Sequence, residues 1–155
     1  MSFFCAIFWI CSFIVSNLKY YLNLKLEIVT YEDSRYKDVL IKKNQTACLI
    51  GKLEDVEIVL LHYYSADEAI EKWERRCKRV DYHNLIFKMS EMNLCTLEHL
   101  RAFDEFPAER KVLFVSKDYG FKSQIVLKQW SKIGEIKDDT TRFKQHLNLK
   151  KLINK

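Results

Sequence analysis

The clearest pattern of apolar and polar positions lies in the middle of the chain, in "VEIVLLHYYSADEAIEKWERRCKRV". Val56 to Tyr63 is β-branched and almost wholly apolar, which predicts a strand covered on both faces. The period then lengthens. Ala66, Ala69, Ile70, Trp73, Cys77 and Val80 recur at helical spacing and mark one apolar face. Ser65 and Glu68 place an S-x-x-E capping box at the start of that helix.

The same alternation continues downstream. Asn84 to Met89 is a second strand. Thr96 caps a helix carrying Leu97, Leu100 and Phe103, which stops before Pro107. Lys111 to Ser116 is a third strand, and Gln124 to Trp130 reads as a fourth. Upstream, Lys25 to Val29 and Thr46 to Gly51 are short strands. Between them, Tyr36, Val39 and Leu40 have helical spacing. The tail from Arg142 to Lys155 reads as a closing helix with Phe143, Leu147 and Leu152 inward.

The middle is therefore β-α-β-α-β with short connections. Such crossovers are right-handed and make neighbouring strands parallel, and helices must then cover both sheet faces. The expectation is one α/β domain over residues 1–155, with layered helices on a central, mostly parallel sheet. In such sheets ligands bind beyond the carboxyl ends of the strands. Those ends are His62 and Tyr63, then Ser90 to Asn93, then Ser116 to Asp118.

The start of the chain breaks the pattern. Phe3 to Val15 is apolar except for Ser12. It falls short of the ~20 residues of a membrane span. A signal peptide has a basic residue before its apolar run, whereas the first one here is Lys19. Three readings stay open: a buried helix continuing through Leu18, Tyr21 and Leu22, a short membrane anchor, or an abnormal start to a longer domain. The anchor is not the favoured one.

Composition narrows the partners. With 155 residues the chain holds one core rather than two. Three glycines and one proline leave no room for a Gly-rich phosphate loop. A net charge of +5 favours anionic partners. Nucleic acid is not among them, because the lysines are dispersed and no helix-turn-helix or RNA-binding signature occurs. Cys5, Cys11, Cys48, Cys77 and Cys95 form no C-x-x-C pair, which speaks against zinc and for reduced thiols in a cytoplasm. No nucleophile elbow, Walker loop, D-x-D or H-E-x-x-H is present, so neither a metal nor any other cofactor is assigned.

Most charge on the central helix has an ordinary account. Glu68–Lys72, Glu71–Arg75 and Glu74–Lys78 are acid-to-base pairs four residues apart, each contributing ~0.2–0.5 kcal/mol. Arg76 and Arg79 are left over, facing Lys72 and Arg75 four residues back. Arg76 lies roughly 70° from the centre of the apolar face, at the core boundary. It is the candidate for holding an anion or a buried carboxylate. His62 is a candidate general base or phosphate ligand, or else a satisfied structural histidine. Tyr63 and Tyr64 can stack on a sugar or base, or simply pack. Trp73 belongs to the core. Cys95 precedes a helix N-terminus, which favours a thiolate, but no basic residue adjoins it in sequence. Lys117 and Asp118 sit in an exposed turn.

"DVEIVLLHYYSADEAIEKWERRCKRVDYHNLIFKMSEMNLCTLEHLRAFDEFP" resembles an uncharacterised bacterial domain family. The family pattern is D-[VI]-E-I-x-x-L-H-Y, E-A-x-x-K-W-x-R-R, R-[IV]-[ND]-x-x-N and C-T. It is met here by Asp55, Glu57, Leu61, His62 and Tyr63, by Glu68, Ala69, Lys72, Trp73, Arg75 and Arg76, and by Arg79, Asn84, Cys95 and Thr96. The resemblance covers roughly residues 17–155. It implies a place in capsule or exopolysaccharide biosynthesis and a transferase-like action on a sugar or nucleotide-sugar. The alternative is a non-catalytic anion- or sugar-binding module, or an inactive copy. The site expected from the residues themselves takes His62 as catalytic residue, with Tyr63, Arg76, Arg79, Asn84 and Lys117 binding the anionic ligand. Two features depart from the family. A segment with an S-N-N-C-W-G-type motif does not precede the first helix, and Asn93-Leu94 stands where an acidic residue usually precedes C-T.

Overall fold

The computed structural model describes residues 17–92 and 95–137. These form two compact units, Asn17–Val80 and residues 81–137. The apolar run Phe3 to Val15 and the expected closing helix from Arg142 lie outside the described residues.

The first unit carries α1 (Leu18–Asn23), β1 (Glu27–Val29), a 3-10 turn (Tyr31–Asp33), α2 (Lys37–Lys42), β2 (Leu49–Leu53), β3 (Val56–Leu60) and α3 (Ala66–Cys77). Its sheet has the order β1-β2-β3 and is antiparallel throughout. Leu53 pairs with Val56, so β2 and β3 form a hairpin across Glu54 and Asp55. Glu54 adopts φ 53° to close that turn. Two adjacent tyrosines of α1 pin it: the Tyr20 hydroxyl donates to Glu54 at 2.6 Å and the Tyr21 hydroxyl to Asp55 at 2.9 Å.

Every residue of β3 is buried, as its unbroken apolar run predicts. Its one charge, Glu57, is satisfied locally. The carboxylate accepts from the Ser34 hydroxyl at 2.6 Å and from the backbone and side chain of Arg35 at 3.3 and 3.4 Å. Leu40, Ile50 and Val59 make the adjoining core.

The second unit carries β4 (Phe87–Ser90), α4 (Leu97–Glu105), β5 (Lys111–Val115), β6 (Gln124–Val126) and a 3-10 turn (Lys128–Trp130). Its sheet is parallel, in the order β4-β5-β6. Alternate residues of β5 enter two clusters. Leu113 and Val115 pack with Met89, Leu100 and Phe103, while Val112 and Phe114 pack with Leu127 and Ile136. Thr96 caps α4 as expected: its hydroxyl accepts from the His99 N–H, and the His99 ring returns an acceptor to the Thr96 N–H. Lys111 donates to the carbonyls of Phe103, Asp104 and Phe106, closing the other end of α4.

The protein is thus mixed α/β, with one antiparallel and one parallel sheet among the described residues. The expected parallel order holds for β4, β5 and β6. It fails for β3, which takes β2 as an antiparallel partner. A fully buried apolar strand suits either arrangement, and Glu54-Asp55 lacks the Asn-Gly or Asp-Gly signature that announces a two-residue hairpin. Among the described residues no helix is long and apolar enough to cross a membrane.

Candidate functional site

The loop leaving β3 leads directly into α3. Ser65 caps the helix, its hydroxyl accepting from the Glu68 N–H at 3.2 Å. Glu68 does not complete the expected box on Ser65. Its carboxylate takes the Tyr64 N–H at 3.3 Å and pairs with Lys72. The Lys72 bond, then the Tyr64 N–H, hold the Glu68 carboxyl below the usual range. Glu71 and Arg75 also form their predicted pair, at 3.7 Å across exposed side chains.

Arg76 is half-buried and donates a guanidinium N–H to the Tyr63 hydroxyl. Its guanidinium carbon lies 5.8 Å from the centre of the Tyr63 ring, and the Lys72 ammonium lies 5.5 Å from the same centre. Tyr63 is therefore engaged by two cations one helical turn apart. His62 is exposed in the turn after β3, and Arg79 is exposed just beyond α3. Tyr64 is 97% exposed.

The parallel sheet carries a second constellation at the carboxyl ends of β4 and β5. Glu91 follows β4 directly and is buried. Its carboxylate accepts from the Ser116 N–H at 2.6 Å and from the Tyr119 hydroxyl. Ser116 follows β5 directly, is fully buried, and its hydroxyl makes no hydrogen bond of normal geometry among the described residues. Burial and the Glu91 carboxylate push Tyr119 up to about 12. Lys117 is exposed, with its ammonium 5.2 Å from the centre of the Tyr119 ring.

Cys95 lies in this neighbourhood. Burial first, and then the Glu91 charge, push its thiol up to about 11, so the helix N-terminus beside it does not yield a thiolate at neutral pH. Asn84 has a local occupation. Its side chain donates to the Asp81 carboxylate at 2.6 Å and accepts from Arg110 at 3.5 Å, in the turn before β4. Among the described residues no group of three or more His, Cys, Asp and Glu is arranged to hold a metal ion.

The chain matches, over residues 10–155, the family described as domain of unknown function DUF1919. It belongs to that family. An uncharacterized protein of Haemophilus influenzae is 34% identical over 125 residues, a match covering 80% of this chain and 54% of that protein. The chain thus spans about half the length of the curated relative it matches.

In this DUF1919 chain the sequence-predicted site residues fall into two sets. Tyr63 and Arg76 come together in the first unit, where His62 and Arg79 also belong, while Asn84 and Lys117 belong to the second. The rule about strand carboxyl ends applies to parallel sheets, so it supports the ends of β4 and β5 and no longer the end of β3. Glu91 and Tyr119 were not singled out from sequence. Glu91 lay inside the window Ser90 to Asn93, and Tyr119 fell one residue past the window ending at Asp118.

Proposed function

We propose that this chain binds and acts on an anionic sugar or nucleotide-sugar in bacterial capsule or exopolysaccharide biosynthesis, with transfer chemistry as the reaction class. The observation that carries this reading is the Arg76–Tyr63–Lys72 arrangement, where a half-buried guanidinium is oriented by a tyrosine hydroxyl beside an ammonium. An oriented guanidinium suits a phosphate better than a freely rotating one, because its N–H groups form a rigid fork. Arg79 adds a second positive charge, and His62 is the group available to move a proton. Free thiols at Cys48, Cys77 and Cys95 support a cytoplasmic site of action, where nucleotide-sugars would be met.

One observation favours the non-catalytic reading of the same site. Among the described residues His62 has no hydrogen-bond partner, whereas a working general base is usually oriented by a third group. Chromatography of nucleotide released from a panel of nucleotide-sugars separates the two. An enzyme releases nucleotide, and His62→Ala abolishes it. A binding module releases none from any member of the panel, yet retains its affinity in His62→Ala.

A further inference from the structure

Glu68, Lys72 and Arg76 stand four residues apart on α3 and so form one row along the helix. Glu68, one turn before Lys72, takes the Tyr64 N–H and one donor of the Lys72 ammonium. An ammonium has three donors, so this pair does not exhaust it. Arg76, one turn after Lys72, reaches the Tyr63 hydroxyl. Both cations thus stand against one ring, the ammonium 5.5 Å and the guanidinium carbon 5.8 Å from its centre. In its bond to Arg76 the Tyr63 hydroxyl accepts, which uses a lone pair and leaves its proton to donate. Tyr63, Lys72 and Arg76 are each half-buried, so these donors are open to solvent.

A purely structural role explains part of this. Tying the loop to the helix takes the Arg76 bond alone, and the Glu68–Lys72 pair is an ordinary one. Neither requires two like charges on one tyrosine. Like charges four residues apart on a helix repel, with Cβ atoms about 5–6 Å apart. The aromatic ring offsets part of that repulsion. An anion between the two cations turns it into attraction. One phosphate is served by the guanidinium and the hydroxyl. The ammonium one turn away offers a second anchor, and a diphosphate carries a second anionic group beside the first.

We propose that this row recognises the diphosphate of a nucleoside-diphosphate sugar. Arg76 and the Tyr63 O–H hold one phosphate and Lys72 holds the other, with Glu68 fixing Lys72 from the far side. The proposal rests on the anionic-ligand reading above and narrows it from any sugar phosphate to a diphosphate.

Titration calorimetry of the whole chain with pyrophosphate, inorganic phosphate, uridine diphosphate and uridine monophosphate tests this. Each diphosphate should bind about tenfold or more tighter than its monophosphate, the size of effect that a hydrogen bond to a charged group gives. Lys72→Gln keeps the length of the side chain and should bring each diphosphate down to the level of its monophosphate. Tyr63→Phe should weaken all four probes. Lys128 is exposed in the 3-10 turn after β6, in the second unit. Lys128→Gln removes the same charge and should keep the preference, which separates a site from general attraction to a chain of net charge +5. Equal affinity of the wild type for diphosphate and monophosphate overturns the proposal, and that comparison needs no variant to fold. A preference kept in a folded Lys72→Gln, or lost in Lys128→Gln, overturns it too, as does unchanged affinity in Tyr63→Phe. Probes bound alike by the wild type and lost in Arg76→Ala overturn the diphosphate and leave the function reading standing. No binding of any probe overturns both.

Discussion

Arg76, in the last turn of α3, donates to the hydroxyl of Tyr63, in the loop leaving β3. One side-chain bond thereby ties the far end of the helix to the residues that precede its start. Tyr63→Phe removes the acceptor and keeps the ring beneath Lys72. It should cost about 1 kcal/mol. A urea melt followed by circular dichroism measures that loss, and an unchanged midpoint would mean that the bond contributes nothing.

Gly51 sits in the middle of β2, between Ile28 of β1 and Ile58 of β3. A Cβ there would stand 2.7 Å from a methyl carbon of Leu26 and 3.4 Å from one of Leu60. Both leucines are buried, so the Leu26 methyl must shift within a packed interior. Gly51→Ala should therefore destabilise the protein by about 1–3 kcal/mol, the usual range for overpacking a close-packed interior. Thermal unfolding of the variant reads this directly.

Alkaline pH should weaken the fold through Tyr21. Burial, with the Asp55 carboxylate accepting its hydroxyl, pushes its ionisation from 10.0 up to about 12. The folded chain holds that proton more tightly than the unfolded chain does. The stabilisation is whole below pH 10 and is lost as pH rises toward 12. Melting temperature against pH should fall across that window, and Tyr21→Phe should start lower and fall less steeply. Parallel curves for the two proteins would show that Tyr21 is not the group responsible. Tyr119, also pushed up to about 12, leaves a residual slope in the variant.

Some of this was readable in the sequence, for physical reasons. The apolar period of α3, the Ser65 and Thr96 caps and the stop before Pro107 are local signals, and each lies where its element begins or ends. The angular position of Arg76 on the helix put its guanidinium at the core boundary, where it is found. Its partner was not readable. Tyr63 lies in a loop, outside the helical period that located Arg76. The β2–β3 hairpin was missed because Glu54-Asp55 carries no glycine to mark the turn. Glu91 was enclosed by a positional window, yet nothing in "SEMN" distinguishes a carboxylate that will be buried from one that will be solvated. Only the register of β4 against β5 brings it to the Ser116 N–H.

The most direct test is a thermal melt of the wild type and Arg76→Ala, each alone and with a panel of nucleotide-sugars, nucleotides and sugar phosphates. A ligand at 100 times its Kd adds ~2.7 kcal/mol, a shift of several degrees for a chain of this size. The account predicts that at least one nucleotide-sugar raises the wild-type melting temperature and that Arg76→Ala, still folded, loses the shift. A sharp wild-type transition that no member of the panel moves, or a shift that survives in Arg76→Ala, would contradict it.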